Sequence, residues 1–202
     1  NEQIERNVPP LMNILTRDGM QVLEGNQSLF RTYHSGNKSL TAFIELIKPP
    51  VSLVVIGAGN DVIPLVAMAD TLGWETTVVD GRPNYAKQER FTGSCQVLVA
   101  KPEKVLSQIS IDEQTVFLLM THNYNYDMAM LYPLVQKQVV FVGMLGPKKK
   151  LERMIGELEV QGIHLTEEEM SSIYSPVGFD IGAETSEEIA LSILSEIKAV
   201  LS

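Results

Sequence analysis

A continuous apolar run leads directly into two glycines: Val51-Ser-Leu-Val-Val-Ile-Gly-Ala-Gly-Asn60. The β-branched run Val51–Ile56 is typical of a parallel strand that is covered on both faces. Gly57 permits a tight turn, and Gly59 lets a phosphate approach the amides at the start of the next helix. This order of strand, Gly-x-Gly and helix predicts the opening of a Rossmann-type fold. The alternative is a tight turn that binds no ligand.

The alternation of strand and helix continues along the chain. Apolar runs predict further strands near residues 75–79, 96–100, 115–120, 139–142 and 173–175, with helices between them. Such alternation predicts an α/β fold with a doubly wound, mostly parallel sheet in a three-layer αβα arrangement. A Rossmann-like domain is therefore expected over residues 51–202.

Residues 1–50 carry weaker signals and are predicted to be an N-terminal extension or the remnant of a preceding domain. Pro9-Pro10 is expected to prevent an early helix, because proline lacks the amide donor. Leu40 to Ile47 has helical spacing, and Pro49-Pro50 marks the boundary. The chain begins at Asn1 rather than Met, as a fragment of a longer protein would.

Composition excludes several classes of protein. The 202 residues carry a formal net charge of −9, which disfavours nucleic acid as a partner. No apolar run approaches the roughly 20 residues of a membrane span. The single cysteine, Cys95, excludes an internal disulfide and fits a reducing compartment. Without a visible leader, a cytoplasmic location is expected.

An acidic residue closes the second predicted strand. Asp80 lies where a carboxylate would bind a ribose hydroxyl, and Arg82 leaves room for a ligand that carries phosphate. Val62 stands where the third glycine of a dinucleotide fingerprint would be. Asp61 would repel a pyrophosphate, although it is also a favourable first-turn acid for a helix. NAD(P) is therefore one candidate ligand.

The segment Thr121-His122-Asn123 follows the fourth predicted strand, at the edge where open α/β sheets bind ligands. His122 could act there as a general base or bind a ligand, with Asp127 as a catalytic partner that orients it. The alternative is a loop histidine bonded to backbone, with Asp127 as a helix N-cap.

The segment Gly143-Met-Leu-Gly146-Pro-Lys-Lys-Lys150 predicts an anion site. Two glycines and a proline favour a helix start, whose free amides and lysines would attract a negative group. The alternative is a solvated basic turn. The last loop, Gly178–Glu184, is expected to share the same sheet edge, and helix-start electrostatics also explain Glu184.

Together these segments resemble the C-terminal Rossmann domain of the XdhC/CoxI family, whose members are xanthine dehydrogenase accessory factors. The resemblance covers about residues 51 to 200 and rests on five ordered motifs: Gly57-Ala-Gly-Asn-Asp61, Asp80-Gly-Arg82 with Arg90-Phe91, Thr121-His-Asn123 with Asp127, Gly143-Met-Leu-Gly-Pro-Lys148, and Pro176-Val-Gly-Phe-Asp-Ile-Gly-Ala-Glu184.

The resemblance implies a cofactor-binding chaperone, not necessarily a catalyst. Family members bind the molybdenum cofactor (molybdopterin), protect it during sulfuration and deliver it to a molybdenum hydroxylase apo-enzyme, so that enzyme and a sulfurase are the implied partners. The implied cofactor-binding residues are Gly57, Gly59, Asn60, Asp61, Asp80, Arg82, Arg90, Thr121, His122, Asn123, Gly143, Gly146, Lys148, Lys149, Asp180, Gly182 and Glu184.

Three further expectations accompany the resemblance. The family pattern and the apolar stripe Ile189, Ile193 and Ile197 suggest a homodimer, although such a stripe is as typical of a core. The family's N-terminal cysteine motif is absent from residues 1–50, and Cys95 does not match it. The alternative functions are an NAD(P)-dependent oxidoreductase that uses His122, and a nucleotide-binding regulatory or scaffold domain.

Overall fold

The computed structural model describes residues 8–91 and 93–202. The chain divides into two compact units between Pro49 and Pro50. The first unit contains helix α1 (Val8–Gly25) and the strands β1 (Leu29–Ser35) and β2 (Lys38–Ile44). Within it, the buried Asp18 of α1 accepts a hydrogen bond from the Tyr33 hydroxyl at 3.0 Å. The helix and the hairpin are thereby tied to each other.

Two predictions for this first unit are wrong. Pro9-Pro10 does not prevent a helix, because both prolines lie in the first turn of α1, where an amide would have no helical partner. Leu40 to Ile47 does not form a helix, since most of it belongs to β2, which pairs antiparallel with β1. The two-residue loop Gly36-Asn37, with Gly36 at φ +58°, is the hairpin signal that apolar spacing obscured.

The second unit contains six strands and most of the helices. Its strands are β3 (Ser52–Ile56), β4 (Glu75–Asp80), β5 (Gln96–Val99), β6 (Thr115–Leu119), β7 (Phe141–Met144) and β8 (Ile173–Tyr174). Its α-helices are α2 (Val62–Thr71), α3 (Pro102–Val105), α4 (Tyr124–Gln136), α5 (Lys148–Val160), α6 (Glu167–Ser171) and α7 (Ser186–Val200). A short 3₁₀ turn spans Gln88–Arg90.

The strand order confirms the predicted fold class. The sheet runs β5-β4-β3-β6-β7-β8, and every neighbouring pair is parallel. Numbered within this unit, that order is 3-2-1-4-5-6, the doubly wound order of a Rossmann fold. The strand order changes direction between β3 and β6. The ligand crevice of such a fold is expected at this switch point, beyond the carboxyl ends of the two strands.

Two apolar layers hold the sheet between its helices. Leu53 and Val55 face one layer and Val54 and Ile56 the other, and all four side chains are fully buried. This explains why Val51–Ile56 has no polar alternation: a central parallel strand is covered on both faces. Each such side chain contributes about 1.5–3 kcal/mol to folding.

Helix α7 supplies the C-terminal part of the core. Ile193 and Ile197 are fully buried and pack in the same layer as Leu65 of α2, with Ile189 partly buried beside them. The stripe is therefore part of the core of this chain, as the alternative interpretation expects, and it gives no support to a homodimer. Among the residues that the structure describes, no helix combines the length and apolarity needed to cross a membrane.

Candidate functional site

The loops after β3, β4, β6 and β7 form one rim at the carboxyl edge of the sheet. Direct contacts join them in sequence around this edge. The first loop is joined to the β4 segment through Asp80, and to the β6 loop through His122. The β6 loop and the helix after it are joined to the β7 segment through Lys150.

The glycine turn lies closely against the neighbouring strand end. Gly57 has a φ of +121°, which disfavours any other residue, and its amide donates to the Val79 carbonyl at 2.7 Å. A Cβ added at Gly57 would collide with the Met120 carbonyl oxygen and lie 2.8 Å from the Thr121 nitrogen. Gly57 therefore permits the tight turn that the sequence predicts, since only a residue without a side chain fits so close to the end of the neighbouring strand.

Asp80 is almost fully buried and ties the glycine turn to the end of β4. Its carboxylate accepts hydrogen bonds from the amide of Ala58 at 2.9 Å and from the amide of Arg82 at 2.8 Å. The Arg82 guanidinium adds two more, at 2.9 and 2.8 Å. A carboxylate offers about four acceptor positions, so these bonds engage Asp80 without a ligand.

The same contacts set the charge of Asp80. Burial by itself would raise the pKa of this carboxyl group, but the hydrogen bonds from Arg82 and from the Ala58 amide outweigh burial and hold the pKa below its ordinary value. Asp80 is therefore a charged structural group at neutral pH. Its predicted contact with a ribose remains a prediction.

An arginine and tyrosine wall extends the rim beyond β4. The Arg82 guanidinium lies 4.0 Å from the centre of the Tyr85 ring. Arg90 donates to the carbonyls of Ala58 at 2.5 Å and Tyr85 at 2.6 Å, and to the side-chain oxygen of Asn60 at 2.9 Å. Arg90 and Asn60 thus hold the glycine loop, while Arg82 and the exposed Tyr85 present a flat, cationic surface to solvent.

Asp61 and His122 meet across the switch between β3 and β6. The distance from His122 Nε2 to Asp61 Oδ2 is 3.0 Å, and since an ionised carboxylate can only accept, Nε2 carries the proton. His122 has a φ of +54°, a conformation that is uncommon for residues other than glycine. The imidazole is 65% exposed and the Asp61 side chain 21% exposed. The predicted position of His122 at the ligand edge is thus accompanied by a partner other than Asp127.

Asp127 is fully buried and belongs to a different network. Its carboxylate accepts from the Thr121 hydroxyl at 2.6 Å and from the Lys150 ammonium at 2.6 Å. Lys150 also donates to the carbonyl of Leu145 at 3.0 Å. An His122–Asp127 pair, as predicted, is therefore not formed, because Asp127 lies in the core against a cation. Asp127 is not the N-cap of α4 either.

Asn123 occupies that N-cap. Its side-chain oxygen accepts from the amides of Asn125 at 3.1 Å and Tyr126 at 3.2 Å. Its own amide donates to the Thr121 hydroxyl oxygen at 3.0 Å. Asn123 and Thr121 therefore fix the shape of the loop that presents His122, and their predicted contacts with a ligand remain predictions.

The start of α5 presents exposed positive charge. Lys148 and Lys149 are exposed, whereas the Lys150 side chain is only 17% exposed because of its contact with Asp127. Pro147 is the N-cap residue, and no side chain caps the helix. Gly146, at φ +122°, allows the turn that precedes it. Uncapped amides and two exposed lysines give this helix start the properties of an anion site.

Gly143 does not belong to this turn. It lies inside β7 and is buried, where an added Cβ would be 2.5 Å from Leu118, 2.6 Å from Val177 and 2.9 Å from Phe141. The prediction that places Gly143 in the loop after the strand is therefore wrong, while its predicted contact with a ligand remains a prediction. The strand continues two residues beyond its predicted end because glycine fits the crowded sheet face.

The last loop lies beside β7 and α7. Val177 donates to the Met144 carbonyl at 3.1 Å, and the Gly178 amide donates to Glu196 at 2.7 Å. The predicted ligand residues of this loop are exposed or nearly so: Asp180, Gly182 and Glu184. Within residues 8–91 and 93–202, no hydrogen bond joins these three residues to the other four loops, so their part in a common site stays a prediction.

Sequence reasoning missed two residues of the rim, Tyr85 and Lys150. Lys150 lies in the predicted lysine run. The only sign that it faces inward is its place two residues after Lys148, which puts the two side chains on roughly opposite sides of the helix. Tyr85 had no local signal apart from its position between two arginines. The contact of Lys150 was undetectable because Asp127 lies 23 residues earlier in the chain. The contact of Tyr85 with Arg82 is local, but it depends on the conformation of the turn that joins them.

Potential metal ligands and the single cysteine are the remaining reactive side chains. In the part of the chain that the structure describes, no group of three or more His, Cys, Asp or Glu side chains could hold a metal ion. Cys95 is buried, and burial raises the pKa of its thiol to about 11. A thiol with such a pKa is a poor nucleophile at neutral pH.

The strand order and the glycine turn define this unit as a Rossmann domain. The profile described as the XdhC Rossmann domain matches residues 53–197. The chain therefore belongs to the XdhC family.

Curated relatives and a solved structure agree with this assignment. The chain is 33% identical over 161 residues to a Bacillus subtilis (strain 168) protein whose name describes it as part of a probable xanthine dehydrogenase, covering 80% of the chain and 46% of that protein. It is 29% identical over 163 residues to YqeB of Escherichia coli (strain K12), covering 80% of the chain and 29% of YqeB. The chain thus spans half or less of the length of these relatives.

A crystal structure of a Bacillus halodurans protein described as a xanthine dehydrogenase has a similar fold. Its TM-score to this chain is 0.68, with 30% sequence identity, and the match covers 83% of this chain and 49% of that one.

Proposed function

We propose that this chain binds the molybdenum cofactor and acts as an accessory factor that delivers it to a molybdenum hydroxylase. The recipient would be of the xanthine dehydrogenase or carbon monoxide dehydrogenase type. Membership of the XdhC family supports this role, as do relatives named after xanthine dehydrogenase. Because the match covers only about half of each of these two relatives, the role of the whole protein is part of the proposal.

The observation that carries the proposal is the chemical asymmetry of the rim. Molybdopterin has a pterin ring at one end and a phosphate at the other. The uncapped start of α5 with the exposed Lys148 and Lys149 suits the phosphate. The crevice between β3 and β6, where Asp61 and His122 meet, offers hydrogen-bonding groups for a heterocycle. These residues fit a ligand with two different ends.

In this account the chain binds and shields its ligand. Lys148 and Lys149 would hold the phosphate, and the surface formed by Arg82 and Tyr85 would cover an aromatic or nucleotide part. When bound, the molybdenum centre supplies the oxidation–reduction chemistry of the recipient enzyme. The described residues contribute binding and orientation, which makes a cofactor-binding chaperone better supported than a catalyst.

NAD(P) chemistry has less support. A pyrophosphate would approach the glycine turn, where Asp61 already brings negative charge to the start of α2. The carboxylate that would bind a ribose, Asp80, is engaged by Ala58 and Arg82. An oxidoreductase that uses His122 would therefore need both acidic residues to rearrange.

Reconstitution tests the proposal. The chain is incubated anaerobically with the molybdenum cofactor, a sulfurase and cysteine as the sulfur donor, separated from free cofactor, and added to a cofactor-free molybdenum hydroxylase of the xanthine dehydrogenase type. The proposal predicts that the loaded chain restores hydroxylase activity faster than the same amount of free cofactor. Equal activation with and without the chain would contradict it.

The proposed partners are tested in the same mixture. A sulfurase is proposed to act on the cofactor while the chain holds it, and the chain is proposed to form a homodimer as the family pattern suggests. The loaded chain should then co-elute with a sulfurase in size-exclusion chromatography, at the mass of a dimer. Elution of each protein alone, at its monomer mass, would contradict these two points.

A further inference from the structure

Asp61 places a negative charge at the glycine turn, where a Rossmann domain usually binds an anion. It stands at the N-cap position of α2, yet its side chain accepts no capping hydrogen bond from that helix. Its Oδ1 lies directly over Gly59, since a Cβ built on Gly59 would collide with this atom. The carboxylate thus occupies the place where a Rossmann domain brings backbone amides to an anion.

His122 holds the carboxylate in that place. Its Nε2 proton bonds to Oδ2 at 3.0 Å from the opposite side of the β3–β6 switch. Oδ1 receives no hydrogen bond from any residue that the structure describes. A carboxylate has about four acceptor positions, and the described residues occupy one of them, while the side chain is 21% exposed.

A fixed carboxylate selects ligands by charge. Two negative groups about 4 Å apart repel each other strongly near a protein surface, so a pyrophosphate is disfavoured beside Asp61. A pair of adjacent N–H donors is favoured instead, because hydrogen bonds to an ionised acceptor are short and strong. A pterin carries such a pair in its 2-amino group and neighbouring ring N–H.

We propose that Asp61 is the specificity residue of this crevice: it receives the two N–H groups of a pterin and rejects pyrophosphate. This inference rests on the proposed function for the identity of the ligand. It also predicts the orientation of the bound ligand: the pterin ring lies at the switch point between β3 and β6, and the phosphate points towards the start of α5. Guanine presents the same donor pair, so the test must separate the two heterocycles.

Binding of small probes to the full chain tests the inference. The probes are the phosphate-free 6-hydroxymethylpterin and guanosine, together with the pyrophosphate ADP-ribose, measured by calorimetry with the wild-type chain and with Asp61→Asn. We expect the wild type to bind the pterin more tightly than guanosine, and Asp61→Asn to weaken pterin binding by about ten- to hundredfold. The same variant should strengthen ADP-ribose binding by at least about tenfold, because the repulsion is removed.

Asp70→Asn is the matched control. It removes the same charge from the other end of α2, a helix of 10 residues, and should leave all three affinities unchanged. Asp61→Ser is a second variant in case Asp61→Asn does not fold, since serine is a favourable residue at an N-cap. Both Asp61 variants are expected to lose pterin affinity.

Three results would overturn the inference: a wild-type chain that does not bind 6-hydroxymethylpterin, pterin affinity that is unchanged in the Asp61 variants, or guanosine bound more tightly than the pterin. Failure of the proposed function has a different signature. In that case the Asp61 variants change probe binding as expected, but the loaded wild-type chain does not activate the hydroxylase.

Discussion

Two helices begin at the same edge of this sheet with opposite side-chain charge. Helix α2 begins beside Asp61, whose carboxylate lies over Gly59, and helix α5 begins with the exposed Lys148 and Lys149. The backbone of both starts offers free amides to an anion. The difference teaches that the side chains, not the fold, decide which helix start takes the negative end of a ligand.

The largest expected effect is a difference in stability between two lysine variants at the start of α5, one at a structural position and one at an exposed position. Lys150→Met leaves the buried Asp127 without its cation, which should lower the free energy of unfolding by about 3–5 kcal/mol. Urea denaturation measures this change. The matched variant Lys149→Met, at an exposed position, should change it by no more than about 0.5 kcal/mol. Equal effects of the two variants would show that Lys150 is not part of the scaffold.

The second prediction concerns the glycine turn at the start of α2. Gly57→Ala places a Cβ against the Met120 carbonyl at a φ of +121°, so we expect a loss of about 2–4 kcal/mol in the free energy of unfolding.

Gly156→Ala is its control, because that glycine lies inside α5 with no atom within 4 Å of an added Cβ. It should instead stabilise the protein by about 0.5–1 kcal/mol. If urea denaturation shows no change in the free energy of unfolding for Gly57→Ala, the turn does not lie against the end of β6 as described.

The third prediction tests the cationic helix start. Lys148→Ala with Lys149→Ala should weaken binding of a phosphate-bearing pterin by about tenfold, because each exposed charge contributes up to about 1 kcal/mol. The effect should shrink at high salt, where exposed charges are screened.

Lys137→Ala with Lys198→Ala removes the same charge from exposed positions at the ends of α4 and α7, and affinity should then be nearly unchanged. Titration at two salt concentrations measures all three chains. If the control pair weakens binding as much as the first pair, net charge and not the start of α5 explains the affinity.

The smallest expected effect is a change in acid stability at Asp80. Because its pKa is lower in the folded chain than the ordinary value of 3.8, Asp80 stabilises the fold above about pH 4. This stabilisation is lost as the pH falls from about 4 through the lower folded-state pKa. Thermal unfolding is measured at a series of pH values from about pH 5 downwards. Over this range the melting temperature of Asp80→Asn should fall less than that of the wild type. Parallel pH profiles would contradict the assigned role.

The fold was predictable because its signals are local. Val51–Ile56 is apolar without alternation, and the turn that follows contains the glycine that the close contact with Met120 requires. The hairpin in the first unit was missed because apolar spacing in Leu40–Ile47 fits a helix as well as a strand. Only the Gly36-Asn37 turn distinguishes the two, and it lies outside that spacing.

The residues of the rim were predictable, but their pairing was not. Position after a strand indicated that Asp61, His122 and Asp80 reach the same edge. Which carboxylate meets His122 depends on the turn geometry of two separate loops. Asp127, five residues after His122 and on the next helix, was the nearer candidate in sequence, but it faces the core and meets Lys150.

Direct titration of the full chain with molybdopterin, under anaerobic conditions and in competition with NADH, tests the central claim. We expect molybdopterin to bind, Lys148→Ala with Lys149→Ala to weaken this binding, and NADH in excess not to displace the cofactor. Tight binding of NADH, with no binding of molybdopterin, would contradict it.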